Sequence, residues 1–150
     1  MQQKLPGYTI LLFIFLFFLM LPSCSAQQDQ NFTALSPKEA SNLIEKHTGD
    51  SDFVILDIRT PGEYQSGHIK DSIMIDYYSK TFTDEIGRLD KKKSYLVYCR
   101  SGNRSARSMD LINKLQFNKI YHLSSGIRGW MSKGLPLVKQ IPLVEQSNGG

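Results

Sequence analysis

Hydrophobic residues along this chain form short runs that alternate with segments of helical periodicity. The runs at 53–57 and 95–98 are almost wholly apolar, which is typical of strands buried on both faces of a parallel sheet. Shorter apolar or alternating segments predict further strands at 32–35, 72–77 and 120–123.

Helix signals fill the intervals between these strands. Ser36 precedes Pro37 and stands three residues before Glu39, which predicts a capping box and a helix that runs to about His47. Thr83 is a candidate cap for a later helix. The other predicted helices span 63–66, 83–89, 104–115 and 126–131. This alternation indicates an α/β domain with a mainly parallel central sheet flanked by helices.

The amino-terminal segment differs in kind from the rest of the chain. Residues 10–21 form an uninterrupted apolar run that follows the single charge of Lys4. A membrane-spanning helix needs about 20 apolar residues, and this shorter run fits the hydrophobic part of a secretory signal peptide instead. We therefore expect residues 1–24 to direct export.

The residues after this run resemble the lipobox of bacterial lipoproteins. Residues 21–24 read Leu-Pro-Ser-Cys, so Cys24 is the expected lipidation site and the anchor to a bacterial cell-envelope membrane. Pro22 departs from the small or aliphatic residue usual in that motif. Two alternatives stay open: cleavage near Ala26, which would release a soluble periplasmic or secreted protein, and an uncleaved anchor. All three place the domain outside the cytoplasm.

Length and composition indicate one globular domain with appendages. The chain has 150 residues, of which 41% are hydrophobic and 21% charged, as in ordinary soluble domains. Residues 25–31 are predicted to be a polar tether, 32–140 the domain and 141–150 a polar tail. The net charge of +4 is mild, and its densest run, 91–93, is typical of a solvated turn. Nucleic acid is therefore a disfavoured partner.

A cysteine follows one of the two most apolar strands. Cys99 lies directly after the strand at 95–98, close to Arg100 and Arg104, and a helix begins just after it. Nearby cations and a helix start both favour a thiolate, which is the nucleophilic form of cysteine. We expect an ionised, accessible sulfur. The alternative is a small buried hydrophobic residue at a strand end.

The segment after Cys99 has the composition of an anion-binding loop. Gly102 allows the chain to curl without a steric penalty, and successive backbone N–H groups in such a curl converge on one point. The chain has two cysteines, so if Cys24 is lipidated or removed, Cys99 has no internal disulfide partner. A lone thiol in an oxidising compartment indicates reactivity.

Several blocks of residues, taken together and in order, resemble the rhodanese family. The blocks are Leu56 to Arg59, Glu63 with Tyr64, Gly67 to Ile69, Cys99 to Arg104, Gly126, Trp130 and Gly134 to Pro136. The resemblance covers about 32–138. Ser125, where many members have glycine, and Ser72, where alanine is common, depart from the pattern but lie outside the cysteine-containing block.

The resemblance implies a single rhodanese-like domain with thiosulfate sulfurtransferase activity. Cys99 would accept a sulfane sulfur as a persulfide and pass it to cyanide or a thiol. Arg100 and Arg104 would bind the small anionic donor. The backbone N–H groups that would stabilise the persulfide are those of Ser101, Gly102, Asn103, Arg104 and Ser105.

Two other functions remain as alternatives. A cysteine-dependent phosphatase or arsenate reductase places its arginine six positions after the cysteine, whereas that position is Ser105 here and the arginine comes one residue earlier. A non-catalytic rhodanese-type binding module is expected to have lost the cysteine. Both features favour the sulfurtransferase.

The remaining marked residues are predicted to be structural. Asp57 is expected to cap a turn rather than to bind substrate with Arg59. His68 is expected to be a hydrogen-bonded structural histidine, and Trp130 a core anchor. No cluster has metal-ligand spacing, so neither a metal nor another cofactor is predicted.

Overall fold

The central feature of the fold is a five-stranded sheet in which every neighbouring pair of strands is parallel. The computed structural model describes residues 32–139. The predicted signal peptide, Cys24, the tether and the polar tail at 141–150 lie outside the described residues. The sheet order is β1-β5-β4-β2-β3. The strands are β1 (Phe32–Leu35), β2 (Phe53–Asp57), β3 (Ile73–Met74), β4 (Ser94–Tyr98) and β5 (Lys119–Leu123).

Helices connect the strands and cover both faces of the sheet. They are α1 (Pro37–Lys46), α2 (Pro61–Ser66), α3 (Phe82–Arg88), α4 (Asn103–Lys114) and α5 (Gly126–Ser132). The capping box of Ser36 and Glu39 is present at the start of α1. Thr60 and Glu63 form a second capping box at α2, where the sequence had predicted only a turn before the helix. The α/β fold expected from the sequence is therefore confirmed.

Two local predictions are wrong. The strand expected at 72–77 is only two residues long, because β3 is an edge strand that pairs with β2 alone and the chain then turns at Asp76. That carboxylate accepts a hydrogen bond from the backbone N–H of Tyr78 at 2.9 Å. Thr83 does not cap α3, since the helix already begins at Phe82.

The core consists of two layers on opposite faces of the sheet. Alternate residues of each central strand point to opposite faces: Leu56 and Val97 pack toward α3 and α4, whereas Ile55 and Leu96 pack toward α1 and α5. Trp130 anchors the second layer, as predicted, and its indole N–H donates to the Pro136 carbonyl at 2.9 Å. Among residues 32–139, no helix is long and apolar enough to cross a membrane.

This topology puts Cys99 in the middle of one edge of the sheet. β4 lies between β5 and β2, and Cys99 follows its last residue, Tyr98. Because all strands are parallel, their carboxyl ends share this edge, where ligands bind in open α/β folds. The chain turns sharply here and enters α4 at Asn103.

Candidate active site

The segment from Cys99 to Ser105, called the cysteine loop below, curls around the thiol. Gly102 has a φ of 90°, in the left-handed region, and its backbone N–H donates to the Cys99 sulfur at 3.2 Å. The Ser105 hydroxyl donates to the same sulfur at 3.5 Å. Donors from both ends of the curl therefore converge on one atom.

These donors set the ionisation of the thiol. Burial by itself would raise the pKa of Cys99, but hydrogen bonds from the Ser105 hydroxyl and from the backbone N–H groups of Ser105, Ser101 and Gly102 outweigh it. The net result is a pKa below the ordinary value. The backbone N–H groups of Asn103 and Arg104 were also expected to stabilise the sulfur. They are not among the groups that lower the pKa of Cys99.

The sulfur is less accessible than expected. Cys99 is only 1% exposed and packs with Leu56, Val97 and Met109 in one layer of the core. The expectation of an accessible thiol is therefore wrong for this conformation, because the loop folds over its own cysteine. Burial alone would suit a packing cysteine, whereas the convergent donors and the lowered pKa suit a nucleophile.

Backbone hydrogen bonds from α5 hold the cysteine loop in place. The N–H of Ile127 donates to the Cys99 carbonyl at 2.9 Å, and that of Arg128 donates to the Arg100 carbonyl at 3.1 Å. Gly126, with a φ of 58°, makes this approach possible, since a Cβ there would lie 2.6 Å from the Cys99 carbonyl oxygen. Ser125 precedes it with a negative φ of -93°, so the backbone there does not require glycine, but the buried Ser125 hydroxyl has no hydrogen-bond partner among residues 32–139.

Arg104 is bound to a carboxylate rather than open toward a substrate. Its two terminal nitrogens donate to the two oxygens of Glu63, each at 2.8 Å. The guanidinium also lies over the ring of Tyr78, 5.5 Å from the centroid. The predicted donor-binding role of Arg104 does not fit this arrangement, in which the side chain fastens α4 to α2.

Glu63 carries the clearest electrostatic signature of the site. Hydrogen bonding to Arg104 is the main cause that lowers the pKa of Glu63 from 4.5 to about 2; burial opposes it, and the Thr60 backbone N–H assists. A carboxylate whose pKa is depressed by folding stabilises the protein above its unfolded pKa. That contribution disappears as the pH falls toward the folded pKa.

Glu63→Gln is therefore expected to lower the free energy of unfolding most above about pH 5, with the difference from wild type shrinking as the pH falls from 4.5 toward 2. Chemical denaturation across a pH series measures it. The control places the same substitution in an Arg104→Met background, where the pH dependence should be much smaller because only the hydrogen bonds from Thr60 remain to lower the pKa of Glu63. A difference that stays constant from neutral to acid pH would contradict the assignment.

A surface cleft lies beside the cysteine loop and has a volume of about 370 Å³. The residues that line it are Arg59, Glu63, Ser66, Arg100, Ile127, Arg128 and Met131. Arg100 and Arg128 are exposed, and neither has a carboxylate within 4.0 Å among residues 32–139. Arg100 was predicted to bind an anion, whereas Arg128 was missed, because a single arginine on a short helix has no distinguishing pattern.

The other marked residues have structural roles. The Asp57 carboxylate accepts from the backbone N–H of Arg59 at 2.9 Å, as a turn cap, and also from its guanidinium at 2.7 Å. The His68 ring stacks on Tyr64 with centroids 3.8 Å apart, and its Nδ1 lies 3.0 Å from the Tyr64 carbonyl oxygen. The predicted structural roles of Asp57 and His68 are confirmed.

One buried polar residue near the loop was missed. His122 on β5 has its Nε2 2.9 Å from the Ser105 hydroxyl oxygen. A histidine inside an otherwise apolar strand was the available signal. Within residues 32–139, no group of three or more His, Cys, Asp or Glu side chains could hold a metal ion.

Comparison with known proteins agrees with this fold. A family model for the rhodanese-like domain matches residues 36–133. This chain belongs to the rhodanese-like family. Its relatives include a sulfurtransferase of Allochromatium vinosum, 27% identical over 100 residues, which cover 67% of this chain and 92% of that protein.

Other matches show how widely the rhodanese-like domain is used. The tRNA uridine(34) hydroxylase of Buchnera aphidicola is 27% identical over 73% of this chain, but the match covers only 38% of that longer protein. The crystal structure of a rhodanese-related protein from Thermoplasma volcanium is 26% identical, with a TM-score of 0.59 over 71% of this chain and 98% of that one. The rhodanese fold is thus shown, and the sulfurtransferase relative supports an enzymatic role.

Proposed function

We propose that this rhodanese-like protein is a sulfurtransferase that carries a sulfane sulfur as a persulfide on Cys99. The observation that supports it best is the convergence of the Gly102 N–H and the Ser105 hydroxyl on the Cys99 sulfur. These donors favour the thiolate before reaction and can stabilise negative charge on the sulfur adduct afterwards.

The reaction with thiosulfate has two steps. The Cys99 thiolate attacks the outer sulfur of the donor, the sulfur–sulfur bond of thiosulfate breaks, and sulfite leaves with the bonding electron pair. The acceptor, cyanide or a thiolate, then attacks the terminal sulfur of the persulfide and returns Cys99 to a thiolate. A preorganised donor at the reacting charge contributes about 3–4 kcal/mol to such steps.

Charge in the cleft favours an anionic sulfur donor. Arg100, which belongs to the cysteine loop, and Arg128 both line the cleft beside that loop. Because Arg104 forms an ion pair with Glu63, we assign the binding of the sulfur donor to Arg100 and Arg128 instead. Two cations beside a small cleft attract a dianion such as thiosulfate more strongly than a neutral donor.

The full-length protein incubated with thiosulfate is expected to gain the mass of one sulfur atom. The gain should also occur in Cys24→Ser and be absent from Cys99→Ser, since Cys99 is the proposed carrier. Intact-mass spectrometry measures it, and cyanide should remove the added sulfur. An adduct that persists in Cys99→Ser would overturn the proposal.

The same samples distinguish the two alternatives. Absence of a sulfur adduct together with phosphate release from an aryl phosphate ester would favour a cysteine-dependent phosphatase. Absence of both signals would favour a binding module.

We also propose that the protein is exported and lipid-anchored through Cys24. The support is the apolar run at 10–21 followed by the lipobox-like residues 21–24. In bacterial cells, labelled palmitate should enter the wild-type protein and not Cys24→Ala. Equal labelling of both proteins would refute lipidation at Cys24.

A further inference from the structure

A buried histidine lies behind the cysteine loop, and the proposed sulfur chemistry does not use it. His122 is opposite Val97 in the parallel pairing of β5 with β4. Its neighbour Leu123 packs in the layer of α1 and α5, so by strand alternation His122 faces α4. His122 is only 7% exposed to solvent. Such a histidine needs a polar partner, and the Ser105 hydroxyl is one, 2.9 Å from its Nε2.

The Ser105 hydroxyl has three possible hydrogen-bond partners but only one proton to donate. Its oxygen lies 3.0 Å from the Gly102 carbonyl oxygen, 3.5 Å from the Cys99 sulfur and 2.9 Å from the His122 Nε2. A serine hydroxyl donates one proton and accepts through two lone pairs. When it donates to His122, neither the sulfur nor the Gly102 carbonyl receives its proton; when it does not, both lie on the loop side of the hydroxyl and can share that proton.

Whether the His122 Nε2 carries a hydrogen decides in which direction the Ser105 hydroxyl donates its proton. If the His122 Nε2 carries hydrogen, it donates to the Ser105 oxygen and leaves the hydroxyl proton to the cysteine loop, where the Cys99 sulfur and the Gly102 carbonyl accept it. If the Nε2 is bare, it attracts that proton away from the sulfur. Burial lowers the pKa of His122, and a hydrogen bond with the Gly102 backbone partly opposes this effect. The neutral ring has a single N–H, so its position matters.

We propose that His122 is a positioning residue: its Nε2–H donates to the Ser105 hydroxyl oxygen and holds the hydroxyl proton toward the Cys99 sulfur. The residue touches neither the donor nor the sulfur and acts only through Ser105. The proposal rests on Cys99 reacting as a thiolate, as in the proposed function. It does not depend on which molecule supplies or receives the sulfur.

The test is a double-variant cycle that measures the reactivity of Cys99. Full-length protein is treated with iodoacetamide across a pH series, and peptide mass spectrometry counts modification of Cys99 separately from Cys24. At a pH below the midpoint, His122→Leu and Ser105→Ala should each slow modification of Cys99 by about threefold or more, because a hydrogen bond to the thiolate is weakened or lost. In both variants the midpoint of the pH profile should move upward.

The interaction between the two residues is the deciding result. His122→Leu in a Ser105→Ala background should have no further effect on the pH midpoint, since its influence runs through the missing hydroxyl. His122→Gln, which retains a side-chain N–H, should stay closer to wild type. His47→Leu, on the distant α1 cap, controls for removal of a histidine and should leave the midpoint unchanged.

Other outcomes would overturn the proposal. If His122→Leu changes the alkylation rate equally at every pH, the residue merely packs under the loop. If it shifts the midpoint equally with and without the Ser105 hydroxyl, its effect does not pass through Ser105.

A measurement on the unsubstituted protein keeps the proposal testable if His122→Leu does not fold, or if the buried Cys99 does not react with iodoacetamide. Nitrogen-15 NMR of the histidine rings distinguishes the two neutral tautomers, and His122→Gln assigns the signal. The proposal requires hydrogen on Nε2, and a ring protonated only on Nδ1 would overturn it. The two proposals can also fail separately. If thiosulfate adds no sulfur to the protein but the double-variant cycle gives the expected result, the sulfur transfer is refuted and the positioning role of His122 stands.

Discussion

Gly102→Ala is expected to lower the free energy of unfolding by about 2–4 kcal/mol and to reduce sulfur transfer at least about tenfold. Gly102 has a φ of 90° and an added Cβ would overlap the carbonyl oxygen of Ser124 and lie 2.8 Å from its carbon. Both contacts are with backbone, so neither can be relieved by a side-chain rotation. The loop itself has to move.

That movement affects the chemistry as well as the stability. The Gly102 N–H donates to the Cys99 sulfur at 3.2 Å, and its carbonyl oxygen lies 3.0 Å from the oxygen of Ser105, whose hydroxyl is the second donor near the sulfur. Displacing Gly102 disturbs both donors to the sulfur, so the pKa of Cys99 should rise and its thiolate should become scarcer at neutral pH.

Denaturant unfolding and the sulfur-adduct assay measure the two effects. Gly87→Ala is the matched control: Gly87 lies in α3, and an added Cβ meets no atom within 4 Å. There the change should raise the free energy of unfolding by about 0.5–1 kcal/mol, because alanine is the better helix former. A Gly102→Ala protein as stable and active as wild type would show that the loop does not need this conformation.

Asp57→Ala is expected to lower the free energy of unfolding by about 3–5 kcal/mol. The Asp57 side chain is fully buried, and that of Arg59 is only 5% exposed. Removing the carboxylate leaves a buried guanidinium whose remaining described partners are neutral: the Gly67 carbonyl, at 2.8 Å, and the Tyr98 ring, whose centroid is 5.6 Å away. An uncompensated buried charge is among the most destabilising results of a single substitution.

Total stabilities of single domains are about 5–15 kcal/mol, so this variant should show a clearly lower denaturation midpoint. Asp52→Ala, at an exposed position just before β2, should change the unfolding free energy by less than about 0.5 kcal/mol. Asp57→Leu combined with Arg59→Met should recover much of the loss, because replacing both charges removes the unpaired cation. A double variant no better than Asp57→Ala would argue that the pair matters for packing rather than for charge.

Local sequence rules account for most of the fold. The capping box of Ser36 and the buried runs at 53–57 and 95–98 depend on residues a few positions apart, and the structure has the helix and both strands. The failed strand prediction has a cause that is not local. The predicted strand at 72–77 had a suitable composition, but β3 has a partner strand on one side only, and composition carries no information on which strands lie at an edge.

The site was predicted in part. The position of Cys99 after a buried strand and the curl at Gly102 follow from neighbouring residues, and the structure has both. The partners of Arg104 and Ser105 do not follow from neighbours. Glu63 is 41 residues from Arg104, and His122 is 17 residues from Ser105. Only the tertiary fold, which places α2 and β5 near α4, brings these pairs into hydrogen-bonding distance.

By itself, then, the order of residues determined a parallel α/β domain and a cysteine at the carboxyl end of a strand, since periodicity and turn chemistry act over a few residues. Tertiary structure alone decided that the thiol is buried, that Arg104 is held by Glu63 and that His122 lies against Ser105. The physical reason is that burial, ionisation and hydrogen bonding depend on what surrounds a group in space, and those surroundings come from distant parts of the chain.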